Sequence, residues 1–426
     1  MCFQSFTEVN MIRIINAYDI GSDRKRDYRL FMLAFFLLMS YGIVLQIRYG
    51  WYKADSYVTT LLAFSYLKNG FIRRGLVGTL FDILCRSFPS IHSYRGATWF
   101  MWGMNVIYFF SLVIFIKWIL GAIKERSVYK GAYIFSLICF TFMIPTACVQ
   151  NGALGRADLL QIALCVVQIY LLIVMRHEWL TVLMTAVNVM FHEGYVLMTF
   201  CAVLIVIIYR ALNTDGKKKR YWTLFALHIA VLLIMSVLSL VGSRRGGNPD
   251  GYAAALESAK ALNLNGSVHW NLLYMMSGVT PENAEIINDA MFVAEGKREL
   301  PIFLICFIPA FIVFGKALVN LFRFSGREKI GTHITSVLLG PVLIGVEYLK
   351  FCDYGRYILW LVFYYFIVFV SFALMDDEGA KEALSRSYEY SNIKAILVLA
   401  LMMMYQPLPT CSFTMISRKL KEWFLD

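Results

Sequence analysis

Ionisable side chains interrupt the apolar runs of this chain at five separate places, and their types suit phosphate recognition and acid–base chemistry. They are Asp55 with Arg73 and Arg74; Arg156 with Asp158; His192 with Glu193; Arg244 with Arg245; and Glu347, Lys350, Asp353 and Arg356. A guanidinium presents paired donors in one plane, which match two oxygens of a phosphate. A carboxylate or imidazole beside such a site can take the proton of an attacking hydroxyl. On this reading Asp55, Glu193 and His192 are the candidate catalytic groups. Arg73, Arg74, Arg156, Asp158, Arg244, Arg245, Lys350, Asp353 and Arg356 are the candidate substrate-binding groups. His192, Glu193 and Asp55 also make a hard-ligand set that Mg²⁺ or Mn²⁺ could occupy, although no motif demands a cofactor. The tight ligand spacing of zinc sites is absent, as is the GxSxG turn of serine hydrolases.

Each candidate has a plainer reading. Asp55 could simply cap the helix that follows it. Arg156 and Asp158 could close a turn and start a helix, since a carboxylate suits a helix N-terminus. Glu347 with Lys350, and Asp353 with Arg356, stand three apart and could be helix-surface pairs. Arg73 and Arg74 could reach for lipid headgroups, but glycines flank them on both sides. His192-Glu193 interrupts an apolar run of about 30 residues, which a tilted span could cover without a turn. An ionisable pair there points to function.

The elements that must position these residues follow from composition. Hydrophobic residues make up 59% of the 426 and charged residues 16%, against roughly 25% charged in soluble domains. Several continuous apolar runs reach about 18 residues, enough to cross a hydrocarbon core of about 30 Å as helix. Lipid offers the backbone no hydrogen bonds, so only helices or closed barrels span it, and runs that do not alternate exclude a barrel. The expected fold is all-α, a polytopic transmembrane helical bundle forming one integral membrane domain. Eleven spans are expected, near 30–49, 98–119, 130–148, 158–175, 179–191, 194–210, 222–241, 301–322, 331–350, 357–375 and 393–407. The fifth and sixth, joined through Phe191-His192-Glu193-Gly194-Tyr195, could instead be one broken helix.

Charge sets the orientation. The net charge of +12 would suggest nucleic acid in a soluble protein, but here it lies in the connections between spans. Residues 1–29, Lys117 to Lys130, Arg176, Lys217 to Arg220 and Lys316 to Lys329 carry the basic clusters and are assigned to the cytoplasm. Two long connections, 50–97 and 242–300, are then external, with amphipathic helices expected at Ser56–Leu67, Ala253–Leu262 and Pro281–Val293. All five ionisable places fall on the external side. The nine cysteines are scattered singly, without metal-ligand spacing, and read as core residues. A cleavable signal peptide is not expected, because residues 1–28 are polar.

Tyr52-Lys53-Ala54-Asp55-Ser56-Tyr57-Val58-Thr59-Thr60, followed by Tyr66-Leu67-Lys68-Asn69-Gly70-Phe71, resembles the first external loop of the GT-C class of membrane glycosyltransferases. That pattern is a cytoplasmic N-terminus, one span, then an acidic residue opening a juxtamembrane helix. The resemblance covers about a quarter of the chain and implies that Asp55 is the catalytic base and that the donor is a polyprenyl-phosphate-linked sugar. A single Asp stands where an acidic pair is commoner. Arg244, Arg245 and the 242–300 loop resemble in kind the polysaccharide polymerases of the Wzy type, which build O-antigen and capsule. Both resemblances imply sugar transfer from a polyprenyl carrier, at the external face of a bacterial inner membrane. The implied partners are a lipid-linked donor, a glycan acceptor, membrane lipids and other polysaccharide-assembly proteins, and not nucleic acid. A transporter or flippase of lipid-linked oligosaccharide is the rival of another class. Transporters often carry internal repeats, and no repeat is evident.

Overall fold

The computed structural model of the chain describes residues 22–48, 54, 56–149, 157–214, 216–244, 249–269, 308–350 and 354–388. Among these the architecture is all-α, with no strand. The helices are α1 (Ser22–Arg48), α2 (Ser56–Ala63), α3 (Tyr66–Asn69), α4 (Gly75–Ser87), α5 (Tyr94–Ala122), α6 (Arg126–Val149), α7 (Ala157–Val174) and α8 (Leu180–Phe191). They continue as α9 (Phe200–Asn213), α10 (Lys218–Arg244), α11 (Pro249–Ala261), α12 (Ile308–Arg323), α13 (Ile330–Lys350), α14 (Tyr354–Leu374) and α15 (Glu378–Ser387). Five helical segments among the described residues are long and apolar enough to cross a membrane, or six if the bent pair α14–α15 counts as one.

The bundle is organised around α14. From Ile358 to Ala373 this helix is apolar almost all round, and nearly every side chain is buried, Trp360, Tyr364 and Phe366 completely. A helix without a polar face must be surrounded, and α6, α9, α13 and α15 pack against it. By contrast α1 and α10 bury only one side in the protein, and leave Leu33, Phe36, Leu37, Leu233, Ile234 and Val237 exposed. Outward apolar faces of this kind are what lipid requires.

Contacts at one end of the bundle join the connections that carry the basic clusters. Arg24 donates from Nη2 to the Lys124 carbonyl at 3.2 Å, Arg220 meets Glu178 at 2.7 Å, and Lys329 lies 3.5 Å from Asp377. Residues that the charge pattern assigns to one side are therefore together in space. Asp377 fixes the turn between α14 and α15, which bends the chain by 117°. It caps α15 by accepting from the Ala380 amide at 2.9 Å, accepts from the Tyr209 hydroxyl at 2.8 Å, and lies 3.2 Å from His333 Nε2.

At the opposite end α2, α3, α4 and α11 form a cap with an apolar core of its own. Val58, Leu61, Phe64, Val77 and Phe81 meet Ala255, Ala259 and Leu262 there, along with Leu160 and Phe191 from the tops of α7 and α8. The expected helix at Ser56–Leu67 is broken after Ala63. Gly78 explains the close packing at that break, since a Cβ there would stand 1.7 Å from the Phe64 carbonyl oxygen. The turn is closed by polar bonds. The Tyr66 amide donates to Thr79 Oγ1 at 2.7 Å, and Asp82 receives Lys68 at 2.7 Å and Arg86 at 3.2 Å. Burial alone would raise the Asp82 carboxyl's pKa, but those two cations and the Ser65 hydroxyl hold it below the usual value.

The fifth and sixth expected spans are two legs of a hairpin and not one broken helix. Both legs start or end at the basic end, because Glu178 below α8 meets Arg220 and Arg210 of α9 donates to the Ile173 carbonyl at 2.7 Å. The 12 residues of α8 rise about 18 Å, well short of about 30 Å. The apex at 192–199 therefore lies within the bundle, under the cap. Of the other expected elements, the span at 393–407 and the helix at 281–293 lie outside the described residues.

Asp377 gives a test of this packing. Burial would raise its pKa, but His333, the Ala380 amide and the Tyr209 hydroxyl bring it down from 3.8 to about 2. A depressed carboxylate contributes stability that is complete above its unfolded pKa and lost as pH falls through the folded one. Asp377→Asn is expected to unfold at lower temperature than wild type near neutral pH, in detergent thermal scans. The gap should narrow below pH 3.8 and close near pH 2. A gap independent of pH would contradict the assignment.

Candidate functional site

The hairpin apex is built by satisfying carbonyls that the break leaves open. α8 ends at His192, whose backbone is extended (φ −164°, ψ 126°). The last carbonyls of a helix have no partner within it, and in lipid no water supplies one. Gln161 of α7 does so here, donating from Nε2 to the Asn188 carbonyl at 2.9 Å and to the His192 carbonyl at 2.7 Å. The chain then makes one short 3-10 turn, Glu193–Val196. His192 Nδ1 accepts from the Gly194 amide at 2.9 Å, so in the neutral ring the proton sits on Nε2. The 3.9 Å approach of Glu193 to the same Nδ1 is thus a contact rather than a charged hydrogen bond.

Glu193 is directed to the cap, where Arg74 meets it. Arg74 donates from Nε and Nη2 to the carboxylate at 3.0 and 2.8 Å, and from Nη1 to the Tyr57 hydroxyl at 3.1 Å. The side chains are 12% and 29% exposed, so the pair is largely removed from solvent. Arg74 holds the left-handed conformation, φ 54° and ψ 13°, at the N-cap of α4. That conformation is disfavoured for a side-chain-bearing residue and costs on the order of 1 kcal/mol, which concentrates at functional positions. Tyr66 adds a second tie, its hydroxyl donating to the Met190 carbonyl at 3.3 Å while its ring stacks on Phe71 at 5.0 Å. The Phe71–Ile72 segment of the turn also touches α10. A Cβ at Gly242 would stand 1.7 Å from the Phe71 carbonyl oxygen. Cap turn, hairpin apex and the upper end of α10 thus converge.

Beside this polar cluster lies an apolar groove of about 670 Å³. Leu80 and Leu84 of α4 form one wall, Trp99, Phe100, Gly103 and Ile107 of α5 the other, and Leu160 and Phe191 the floor. Trp99 is 74% exposed, which places the groove's mouth on the outer side of the bundle. Phe191 immediately precedes His192 and Glu193. The groove therefore leads from an outward apolar face to the residues before the ionic cluster.

Of the residues expected to form a site, the structure brings Arg74, His192 and Glu193 together and adds Tyr57. Arg73 is half-buried in the same turn. Asp55, Arg156, Arg245 and Asp353 lie outside the described residues, as do the side chains of Asp158, Arg244, Lys350 and Arg356. Among the described residues no group of three or more His, Cys, Asp or Glu could hold a metal ion. The Arg74 fork is turned to a carboxylate, so Glu193 serves as its counter-ion. Tyr57 and Gln161 were missed by the sequence reading. Gln161 was detectable as an amide inside an apolar span.

Fold and site together define a polytopic helical membrane protein, with a capped, partly buried ionic cluster next to a lipid-side groove. Residues 29–249, half of the chain, match the family described as "Uncharacterised membrane protein Rv1490", and the chain belongs to that family. No curated protein and no solved structure matches it.

The ion pair can be tested by its coupling. Removing one partner of a buried pair leaves an uncompensated charge and costs about 3–5 kcal/mol, nearer about 2 where exposure screens it. Arg74→Met and Glu193→Met should each destabilise the protein in detergent thermal scans. The double variant should be more stable than the sum of the two losses by about 1–2 kcal/mol. Additive losses would mean that the two side chains do not meet.

Proposed function

We propose that the chain is a glycosyltransferase. It moves a sugar or oligosaccharide repeat unit from a polyprenyl-(pyro)phosphate carrier, at the external face of a bacterial inner membrane, in cell-surface polysaccharide assembly. The observation that carries the reading is the apolar groove that ends at Phe191, the residue before His192 and Glu193, because an apolar groove near an ionic cluster matches an amphipathic donor. A long hydrocarbon tail enters from the lipid side between α4 and α5, and the phosphate that follows reaches the Arg73-Arg74 turn. Arginine suits a leaving phosphate because its donors are planar and paired, and charge developing on that phosphate is stabilised in a site shielded from water. Glu193 and Tyr57 position Arg74 for this role.

In the reaction the acceptor hydroxyl oxygen bonds to the anomeric carbon, and the bond from that carbon to the phosphate oxygen breaks. The phosphate leaves with the electron pair, and a base takes the hydroxyl proton. Asp55 is assigned as that base from its place before α2. Ala54 and Tyr57 on either side of it are both buried in the cap core, and Tyr57 is the residue that meets Arg74.

Two measurements test the reading. Disrupting the gene in its host should abolish a surface glycan and let its polyprenyl-linked precursor accumulate, as seen by mass spectrometry of lipid extracts. Wild type restores the glycan, whereas Asp55→Asn should fall short by about 10²–10⁴ in rate. Unchanged lipid-linked pools on disruption would defeat the proposal. The groove has its own probe. A Cβ at Gly103 meets nothing within 4 Å, so Gly103→Phe fills the groove without disturbing the helix. It should raise KM for long-chain polyprenyl donors with kcat retained; an unaltered KM would detach the groove from the donor.

A further inference from the structure

A column of polar side chains, continuous at its upper end with the Gln161 bonds of the hairpin apex, runs through the bundle between α7, α8, α9 and α10. At the basic end Arg220 pairs with Glu178 at 2.7 Å. The Thr181 hydroxyl donates to the Glu178 carbonyl, and Thr181 Oγ1 lies 2.9 Å from Nε2 of His228. On the other side of that ring, Nδ1 is 2.8 Å from Thr185 Oγ1, which lies 3.4 Å from the Tyr195 hydroxyl. Tyr195 donates to Gln168 Oε1 at 3.2 Å, and Asn188 donates to the same oxygen at 3.1 Å. The Asn188 and His192 carbonyls, joined by Gln161, bring the column to the residue before Glu193. Gln161, Gln168, Thr181, Thr185, Asn188, Tyr195 and His228 are all fully buried.

Both ends of the column carry polar atoms with no hydrogen-bond partner among the described residues. Below are Tyr221 Oη and Arg210 Nε; above are Gln161 Oε1 and Asn188 Oδ1. Tyr221 has Arg210, Glu178 and Arg220 as its charged neighbours. A buried polar atom left unpaired costs about 1–3 kcal/mol, and such atoms are ordinarily met by internal water. Water at these four atoms would extend the column to Glu178 below and to the hairpin apex above.

Amides, hydroxyls and imidazole all serve helix adhesion in lipid. An imidazole with a hydroxyl on each nitrogen adds a capacity that amides and isolated hydroxyls lack, because it can take a proton at one nitrogen and give one at the other. Both threonine hydroxyls that face the ring come from α8, and the Phe200 ring of α9 closes another side at 6.3 Å. The charged groups flanking the ring along the column are Glu178 and Arg220 below and Glu193 with Arg74 above, with Tyr195 the titratable group between.

We propose that this column conducts protons between the basic end of the bundle and the apex that carries Glu193, with His228 as the relay. A proton arriving through the Thr185 hydroxyl binds Nδ1, and the proton on Nε2 passes to the Thr181 hydroxyl. Each hydroxyl gives one proton for the one it receives. Thr185 is replenished by the Tyr195 hydroxyl and, through it, by water at Asn188 Oδ1 and Gln161 Oε1. Thr181 passes its proton through water at Tyr221 Oη to the Glu178 carboxylate. The amides and backbone carbonyls only hold the path in place and carry no proton. Return of the ring to its first tautomer, with rotation of the hydroxyls, resets the path. The inference is independent of glycosyl transfer, and its failure would leave that reading untouched.

The test uses the purified full chain in proteoliposomes holding a pH-sensitive dye, with a potassium gradient and valinomycin driving protons across the membrane. Wild type should change the internal pH faster than protein-free vesicles do. His228→Phe and Thr185→Val should lose that flux, whereas Thr223→Val, which removes an exposed hydroxyl on the same helix, should keep it. Wild-type flux equal to that of protein-free vesicles overturns the proposal whatever the variants do. Wild-type flux that survives in both column variants overturns it as well.

Discussion

The interaction on which the rest of this structure depends is the Arg74–Glu193 pair, 2.8 Å across. It joins two segments 119 residues apart, a cap turn and a hairpin apex. Arg74 stands in a left-handed conformation that its own side chain disfavours. Glu193 stands where a helix has been stopped inside the bundle. A carboxylate there, in surroundings of low polarity, needs a cation with matched geometry. The cap supplies it, and the cap's apolar core is completed in turn by Leu160 and Phe191 from the bundle.

The short hairpin and the cap are two halves of one arrangement. Because α8 stops early, the chain has room below the surface for polar residues, and because α2 to α4 fold over that room, the residues are shielded. A groove with outward-facing apolar walls then gives lateral access from lipid. We propose that such an entrance serves substrates that are lipids at one end and phosphates at the other.

Much of this was legible in the sequence because lipid imposes simple rules. Apolar runs marked the helices, basic connections marked one end of the bundle, and the glycine-flanked Arg73-Arg74 marked a shaped turn. His192-Glu193 was legible as an interruption, but its consequence was not, since an apolar run of that length fits either a long span or a hairpin. Glu178 meeting Arg220 decides between them, and no local pattern pairs those two residues. Tyr57 is invisible for the same reason, an aromatic side chain on a helix whose other members form a core. Gln161, Gln168, Asn188 and His228 carry no formal charge and stand singly within apolar helices, so no local pattern joins them into one network.

The central claim is that one end of the substrate is held by the arginine turn while its tail lies between α4 and α5. Photocrosslinking measures this directly, using the protein in nanodiscs, a polyprenyl phosphate bearing a photoreactive group near the head of its chain, and mass spectrometry to map the adducts. The account predicts adducts on α4 and α5 at the groove, around Leu84, Trp99 and Phe100, competed by unlabelled polyprenyl phosphate and weakened in Arg74→Met. Adducts spread over α1 and α10 at the level of ordinary lipid, unchanged by competitor, would contradict it.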